Sequence, residues 1–72
     1  EGVALDDVKA VQYYKQAADD GDAIALRWLG AMYDAGEGVA VDDAKAIEYY
    51  AKAVDEGDII AARNLGMMYE FC

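Results

Sequence analysis

The chain has 72 residues, 57% of them hydrophobic, and its 15 acidic against 6 basic side chains give a formal net charge of −9. A strongly acidic chain is repelled by phosphate backbones and anionic lipids, and no apolar run approaches the roughly 20 residues that span a bilayer, so neither nucleic-acid binding nor membrane insertion is expected. Without His, Ser, Thr or Pro, and with Cys72 as its single cysteine, the sequence excludes most catalytic constellations and any internal disulfide.

The first helix is predicted near residues 7–20. Asp6 precedes it as an N-cap, because its carboxylate can accept hydrogen bonds from the free amides of the first turn. Gly21 supplies the left-handed backbone that ends a helix cheaply. The apolar positions between them have the spacing of one helix face: Ala10, Val11, Tyr14 and Ala17.

The second helix is predicted near residues 23–35, with Asp22 as its N-cap. Because the connection to the first helix is very short, the two must pack antiparallel. Gly36 is expected to end the second helix and Gly38 to bend the chain again, so that Val39 turns back into the core. The inner positions of this helix are Leu26 or Ala25, Leu29, Gly30 and Tyr33.

The second half of the chain repeats the first. Residues 37–72 align on residues 1–36 without a gap, and 21 of the 36 positions are identical, which is the signature of stacked helical repeats. The third and fourth helices, predicted near 43–56 and 59–71, are therefore copies of the first two, with Asp42 and Asp58 as N-caps and Gly57 between them. Their inner positions are Ala46, Ile47, Tyr50, Ala53 and Val54 in the third helix and Ala62, Leu65, Gly66 and Tyr69 in the fourth.

Two glycines lie inside predicted helices. Gly30 and Gly66 each cost about 1 kcal/mol relative to alanine in a helix interior. A close approach offsets such a cost, because a neighbouring helix can lie against a backbone that carries no side chain. The sequence therefore predicts that a neighbouring helix, with a tyrosine ring as one candidate group, packs on each of them.

The stretch YDAGEGVAVDDAKAIEYYAKAVDEGDIIAARNLGMMY, residues 33–69, resembles the Sel1-like repeat. The resemblance covers the whole chain, and the Gly-x-Gly-Val turn and the 36-residue period distinguish it from the tetratricopeptide repeat. It implies an all-α, right-handed α/α superhelix of two helix-turn-helix repeats with four antiparallel helices. The units are residues 1–36 and 37–72, each with helix B before helix A, and together they are expected to form one small solenoid that is a fragment of a longer array. The family implies an adaptor that gathers other proteins.

One subgroup of this family is cysteine-rich, with a disulfide in each repeat and affinity for β-lactams. In this chain Ala18 and Val54 stand where those members place one cysteine. Neither property therefore carries over.

Three features invite a chemical interpretation that the sequence does not favour. The acidic clusters DDGD (19–22) and DEGD (55–58) are too short for a calcium loop and are better explained as helix caps. The tyrosine pairs at 13–14 and 49–50 are better explained by packing than by ligand stacking. Cys72 has no histidine to activate it. No catalytic, cofactor or metal residue is assigned, and the chain is not expected to be an enzyme.

The positions where the two copies differ on an exposed helix face are the candidates for partner binding. Trp28, whose equivalent is Asn64, is the clearest difference, because large exposed aromatic residues are enriched in binding hot spots. The alternative is that Trp28 packs on an adjoining repeat. In stacked helix pairs this side lines the concave surface. The predicted concave-face residues are Arg27, Trp28, Ala31, Asp34, Arg63, Asn64, Met67 and Glu70.

The predicted function is a protein-interaction scaffold whose partner, a protein or peptide, has basic or mixed charge. The alternative is a structural segment that associates end to end or stacks within a larger array, since two units bury little surface. An enzyme or a β-lactam binder is least favoured, and the compartment is left open. The apolar side chains expected at the two ends are Val3, Leu5, Val8 and Val11, and Ile59, Ile60, Met68 and Phe71.

Overall fold

The computed structural model describes the backbone of residues 3–71 and the side chains of residues 7–70. Four α-helices, and no strand, occupy this range: α1 (Val3–Asp19), α2 (Ala23–Ala35), α3 (Asp43–Asp55) and α4 (Ile59–Phe71). The predicted all-α repeat fold is confirmed, and α2, α3 and α4 begin at the predicted residues. Cys72 and the side chains of Val3, Leu5 and Phe71 lie outside the described part of the chain.

The predicted start of α1 is wrong, because the helix begins at Val3 and Asp6 lies inside it instead of capping it. In the second copy the corresponding segment, residues 39–42, is held as a loop on the preceding helix. The amide of Asp42 donates to the carbonyl of Tyr33 at 3.0 Å, and Val39 packs into the core. No helix precedes residues 3–6 in the described chain, so these residues continue α1.

The other three predicted N-caps are confirmed. One carboxylate oxygen of Asp22 accepts hydrogen bonds from the amides of Ile24 (2.9 Å) and Ala25 (3.3 Å). Asp42 accepts from the amide of Lys45 at 3.1 Å, and Asp58 accepts from the amide of Ala61 at 3.0 Å. Each bond satisfies a donor that the helix itself leaves unpaired. The acidic clusters thus have a structural role at the corners of the helix pairs.

The turn between α2 and α3 uses glycine at two positions, as predicted. Gly36 has φ +75°, and its amide and that of Glu37 both donate to the carbonyl of Met32, at 2.7 and 3.0 Å. Gly38 has φ +76°, and a Cβ placed on it would stand 2.6 Å from the carbonyl oxygen of Asp7. The turn therefore packs directly on α1, which fixes α1 relative to the α2–α3 pair.

The core consists of two connected clusters of buried side chains. Residues Ala18, Val39 and Tyr49 pack against both clusters and join them. The larger cluster contains Leu26, Tyr33, Ala46, Tyr50, Ala53, Ala61 and Met68, and the smaller contains Val11, Leu29 and Met32. The four helices thus share one continuous core.

The predicted close approach is confirmed at Gly30 and is absent at Gly66. A Cβ on Gly30 would stand 2.8 Å from Cδ1 of Tyr50, whereas within the described chain no atom lies within 4 Å of the same point on Gly66. The predicted inner face of α4 is confirmed at Leu65, which packs against the core, and is wrong at the other three positions. Ala62, Gly66 and Tyr69 are exposed, because no following helix covers them within residues 3–71. The residues that α4 buries are Ala61 and Met68.

Candidate protein-interaction surface

The outward face of α2 carries the first four predicted interaction residues. The buried positions of α2 fall on its other side. Trp28 is 44% exposed, Asp34 is exposed, and Arg27 and Ala31 are partly buried. The predicted residues of α2 thus lie on one face but differ in how much surface each offers.

Arg27 is engaged inside the molecule. Its Nε donates to Oδ2 of Asp58 at 2.9 Å, and the two side chains are only 18% and 7% exposed. The hydrogen bond from Arg27 lowers the pKa of the Asp58 carboxyl, assisted by the amide of Ala61 and opposed by burial. Because Asp58 also caps α4, this ion pair ties the start of α4 to the side of α2.

Trp28 is packed on one side and open on the other. Its ring is stacked on that of Tyr14 in α1, with a centroid separation of 6.3 Å and an interplanar angle of 12°. The guanidinium carbon of Arg27 lies 5.7 Å from the Trp28 ring centroid. The ring is therefore packed against α1 and still presents apolar surface, and partner binding by Trp28 stays a prediction. A pre-oriented aromatic ring loses little conformational entropy when a partner covers it.

The other four predicted residues lie on α4. Arg63, Met67 and Glu70 are exposed, and Met67 retains 49% of its surface. Asn64 is partly buried beside Tyr50 of α3. Burial, and secondarily the charge of Asp34, raises the pKa of the Tyr50 hydroxyl, while the Asn64 hydrogen bond and then Arg27 act in the opposite direction.

Two exposed isoleucines were not among the predicted interaction residues. Ile24 is 55% exposed and Ile60 is 41% exposed. They occupy equivalent positions, one turn before Trp28 in α2 and one turn before Asn64 in α4. The signal was present in the sequence, because residues four apart share a helix face. We call the resulting set the α2/α4 stripe: the exposed Ile24, Trp28, Ile60 and Met67 with the partly buried Ala31 and Asn64.

A concave feature lies outside the predicted interaction surface. A groove of about 410 Å³ runs between the C-terminal halves of α1 and α3. It contains none of the predicted interaction residues. Leu26 and Tyr49 contribute apolar surface to the groove. Its charged lining residues are Lys15, Lys52, Asp19, Asp55 and Glu56.

The described side chains form no metal-binding cluster. No group of three or more acidic or thiol side chains that can hold a metal ion occurs in the part of the chain searched. Every buried side-chain nitrogen and oxygen described has a hydrogen-bond partner. In the described residues no helix is both long and apolar enough to cross a bilayer.

Four helices that repeat every 36 residues and share one core define an α-helical repeat protein. The family model described as the Sel1 repeat matches residues 1–22, 23–58 and 59–71. The chain belongs to the Sel1 repeat family. Comparisons with curated proteins and with solved structures gave no match. Sel1 repeats generally mediate protein–protein interaction, and the family is typically a non-enzymatic scaffold.

The family model and the sequence analysis place the repeat boundary differently. In the family model, residues 23–58 form one repeat of 36 residues, comprising α2 and α3, and the flanking segments match parts of a repeat. The period is the one found by aligning the two halves of the chain. The division into residues 1–36 and 37–72 stays a prediction.

Proposed function

We propose that this chain is an adaptor that binds a protein or peptide segment on the α2/α4 stripe. The observation that carries the proposal is the exposure of Ile24, Trp28, Ile60 and Met67, which are large apolar side chains of α2 and α4. Apolar residues at i, i+4 and i+7 on a helix are the anchors that an amphipathic partner helix uses. The proposal includes that this face is the concave surface of a longer stack of repeats.

The partner has basic or mixed charge. The chain carries a net charge of −9, and Asp34 and Glu70 are exposed on α2 and α4 beside the stripe. Complementary charge speeds encounter and selects the orientation of a partner, while the apolar stripe supplies the contact area. The adaptor has no catalytic activity, no cofactor and no bound metal, in keeping with a sequence that has no His, Ser or Thr. With one cysteine in the whole chain, it also lacks the disulfide-bonded β-lactam site of the cysteine-rich subgroup.

Binding is tested with two synthetic helical peptides of about 15 residues, roughly four turns. Both carry leucine at i, i+3, i+4 and i+7, and their remaining positions are lysine in one and glutamate in the other. Trp28 is the only tryptophan of the chain, so its fluorescence reports directly on contact. We expect the lysine peptide to shift Trp28 emission to the blue and the glutamate peptide to leave it unchanged, because only the first complements the acidic surface.

The matched variants are Trp28→Asn, which installs the residue of the equivalent position 64, and Tyr13→Asn, which removes an exposed aromatic from α1. Fluorescence anisotropy of a labelled lysine peptide measures both. Trp28→Asn should weaken binding at least about tenfold, as loss of a hot-spot aromatic does, and Tyr13→Asn should leave it unchanged. Equal affinity of wild type and Trp28→Asn would contradict the proposal.

A further inference from the structure

The two ends of the chain expose complementary halves of a contact that the molecule already makes once. We call the α2–α3 junction the contact of α2 with α3 and with Asp58, which follows α3. Three contacts hold this junction. The ring of Tyr50 lies against Gly30, and Arg27 pairs with Asp58 at 2.9 Å. The rings of Tyr33 and Tyr49 stack, with a centroid separation of 5.6 Å and an interplanar angle of 12°.

The outer face of α4 carries the residues that α2 contributes to this junction. Within the described chain nothing equivalent to α3 packs on them. Gly66, Tyr69 and Arg63 are the equivalents, 36 residues on, of Gly30, Tyr33 and Arg27. Tyr69 is 67% exposed, whereas Tyr33 is 7% exposed. Gly66 has open space where Gly30 meets a ring, and Arg63 has no ion pair among the side chains of residues 7–70. We call this set, with Ala62, the α4 end face.

The outer face of α1 presents the second half. Tyr13 and Tyr14 are the equivalents of Tyr49 and Tyr50. Tyr13 is 67% exposed, and Tyr14 is partly exposed where Tyr50 is buried. We call the α1 end face the set Ala10, Tyr13, Tyr14, Ala17 and Asp22. Its two alanines are also only partly buried, although their equivalents in α3, Ala46 and Ala53, are fully buried.

Asp22 can take the same two roles as Asp58, which caps a helix and pairs with an arginine. In Asp58, Oδ1 caps α4 and Oδ2 pairs with Arg27. In Asp22, Oδ1 alone carries both capping bonds of α2, and Oδ2 has no bond to a described side chain. One oxygen of Asp22 is therefore available for an arginine from outside the chain.

We propose that the α4 end face binds the α1 end face of a second copy of this chain, repeating the α2–α3 junction between molecules. The interface is heterologous and does not close on itself, so copies add head to tail into open rows rather than a symmetric dimer. The expected contacts, first copy to second, are Gly66 with Tyr14, Tyr69 with Tyr13, and Arg63 with Asp22.

Charge sets the conditions under which the rows form. Each copy carries −9, so two copies repel one another over distances that the single Arg63–Asp22 pair does not offset. Salt screens this repulsion, and the Debye length falls to about 4 Å at about 0.5 M. Association should therefore strengthen with added salt, opposite to an interface that depends on ion pairs.

Sedimentation equilibrium over a concentration series is the first test. The wild-type chain should show an average mass that rises steadily with concentration, more steeply in about 0.5 M NaCl than in dilute buffer. Gly66→Ala should weaken association at least about tenfold, because its Cβ would meet the Tyr14 ring of the second copy as a Cβ on Gly30 meets Tyr50. Met67→Ala, which installs the equivalent residue Ala31 on the neighbouring α2/α4 stripe, should leave association unchanged.

A mixing experiment then tests the head-to-tail arrangement. Gly66→Ala blocks only the α4 end face, and Tyr13→Glu blocks only the α1 end face. Each variant alone should have the mass of a single chain, and their mixture should form a one-to-one dimer and nothing larger. The proposal is overturned if Tyr13→Glu alone still dimerises, if Gly66→Ala associates as the wild type does, or if the mixture does not pair. It is also overturned if the wild type keeps the single-chain mass up to about 1 mM, where even a weak interface is half occupied.

Discussion

The same substitution at two equivalent glycines should have different effects on stability. Gly30 and Gly66 occupy the same position of the repeat in α2 and α4. A Cβ on Gly30 would stand 2.8, 2.9 and 3.0 Å from three ring carbons of Tyr50, and the same atom on Gly66 would meet nothing within 4 Å in the described chain. Alanine is therefore compatible with one position and not with the other.

The magnitudes follow from two opposing contributions. Alanine is favoured over glycine in a helix interior by about 1 kcal/mol at both positions. At Gly30 the Tyr50 ring must also retreat, since carbon atoms prefer separations of about 3.5–4.0 Å. Tyr50 is 3% exposed, so its ring can move only by disturbing the core, and overpacking of this kind costs about 1–3 kcal/mol. We expect Gly66→Ala to stabilise the fold by about 1 kcal/mol and Gly30→Ala to be less stable than Gly66→Ala by about 1–3 kcal/mol.

Urea unfolding followed by far-ultraviolet circular dichroism measures both variants, at protein concentrations low enough to keep the chain monomeric. The contribution of helix propensity is common to the two substitutions, so their difference reports the contact with Tyr50 alone. If Gly30→Ala stabilised the protein as much as Gly66→Ala, the packing of Tyr50 on the Gly30 backbone would be refuted.

Two further predictions concern the ion pair between α2 and α4. Arg27→Gln leaves the buried Asp58 carboxylate uncompensated and should lower the free energy of unfolding by about 1.5–3 kcal/mol. Arg63→Gln, at the exposed equivalent position, should change the free energy of unfolding by less than about 0.5 kcal/mol. If urea unfolding gave the same change for both variants, the Arg27–Asp58 ion pair would not contribute to stability. Because the pKa of Asp58 in the folded state lies below its usual 3.8, its stabilising contribution is present above that value and is lost as the pH falls through the folded-state pKa. Asp58→Asn keeps an N-cap but removes the charge, so the stability difference between wild type and Asp58→Asn should shrink on acidification below about pH 4. A difference that stayed constant from pH 7 to pH 2 would show that Asp58 acts only as a cap.

Features set by neighbouring residues in the chain could be predicted from the sequence. The caps at Asp22, Asp42 and Asp58 depend on the residue type and on the two or three amides that follow it, and all three are confirmed. The approach of Tyr50 to Gly30 was predictable for a different reason. A glycine inside a helix carries a cost that only a close contact offsets, and the tyrosine at this point of the repeat is the large group nearby.

Features set by what lies next to a helix could not be predicted from the repeat alone. The residues Arg27 and Arg63 are identical by sequence, yet only Arg27 has a following repeat unit whose Asp58 it can reach. The sequence pattern assigned Tyr69 to the inner face of α4 because the equivalent Tyr33 lies on the inner face of α2. In the structure Tyr69 is exposed, because no helix follows α4 within residues 3–71. A repeated sequence specifies which surfaces match, whereas burial depends on whether the matching surface is present.

The predicted interaction residues stay a prediction, and the structure shows only which of them are exposed. Trp28 was found because it differs from Asn64, and it proved to be both packed on Tyr14 and exposed. Ile24 was not named as an interaction residue, and Ile60 was named only as an apolar side chain at one end of the chain. Exposure in the folded chain identifies them, since an isoleucine that the scaffold needs would be buried.

The most direct test of the adaptor function is a map of amide chemical-shift changes as the lysine-rich helical peptide is added to the ¹⁵N-labelled chain. The account predicts that the largest changes follow the outward faces of α2 and α4, around Ile24, Trp28, Ile60 and Met67. Changes concentrated instead along the groove between α1 and α3, around Lys15 and Lys52, would contradict it.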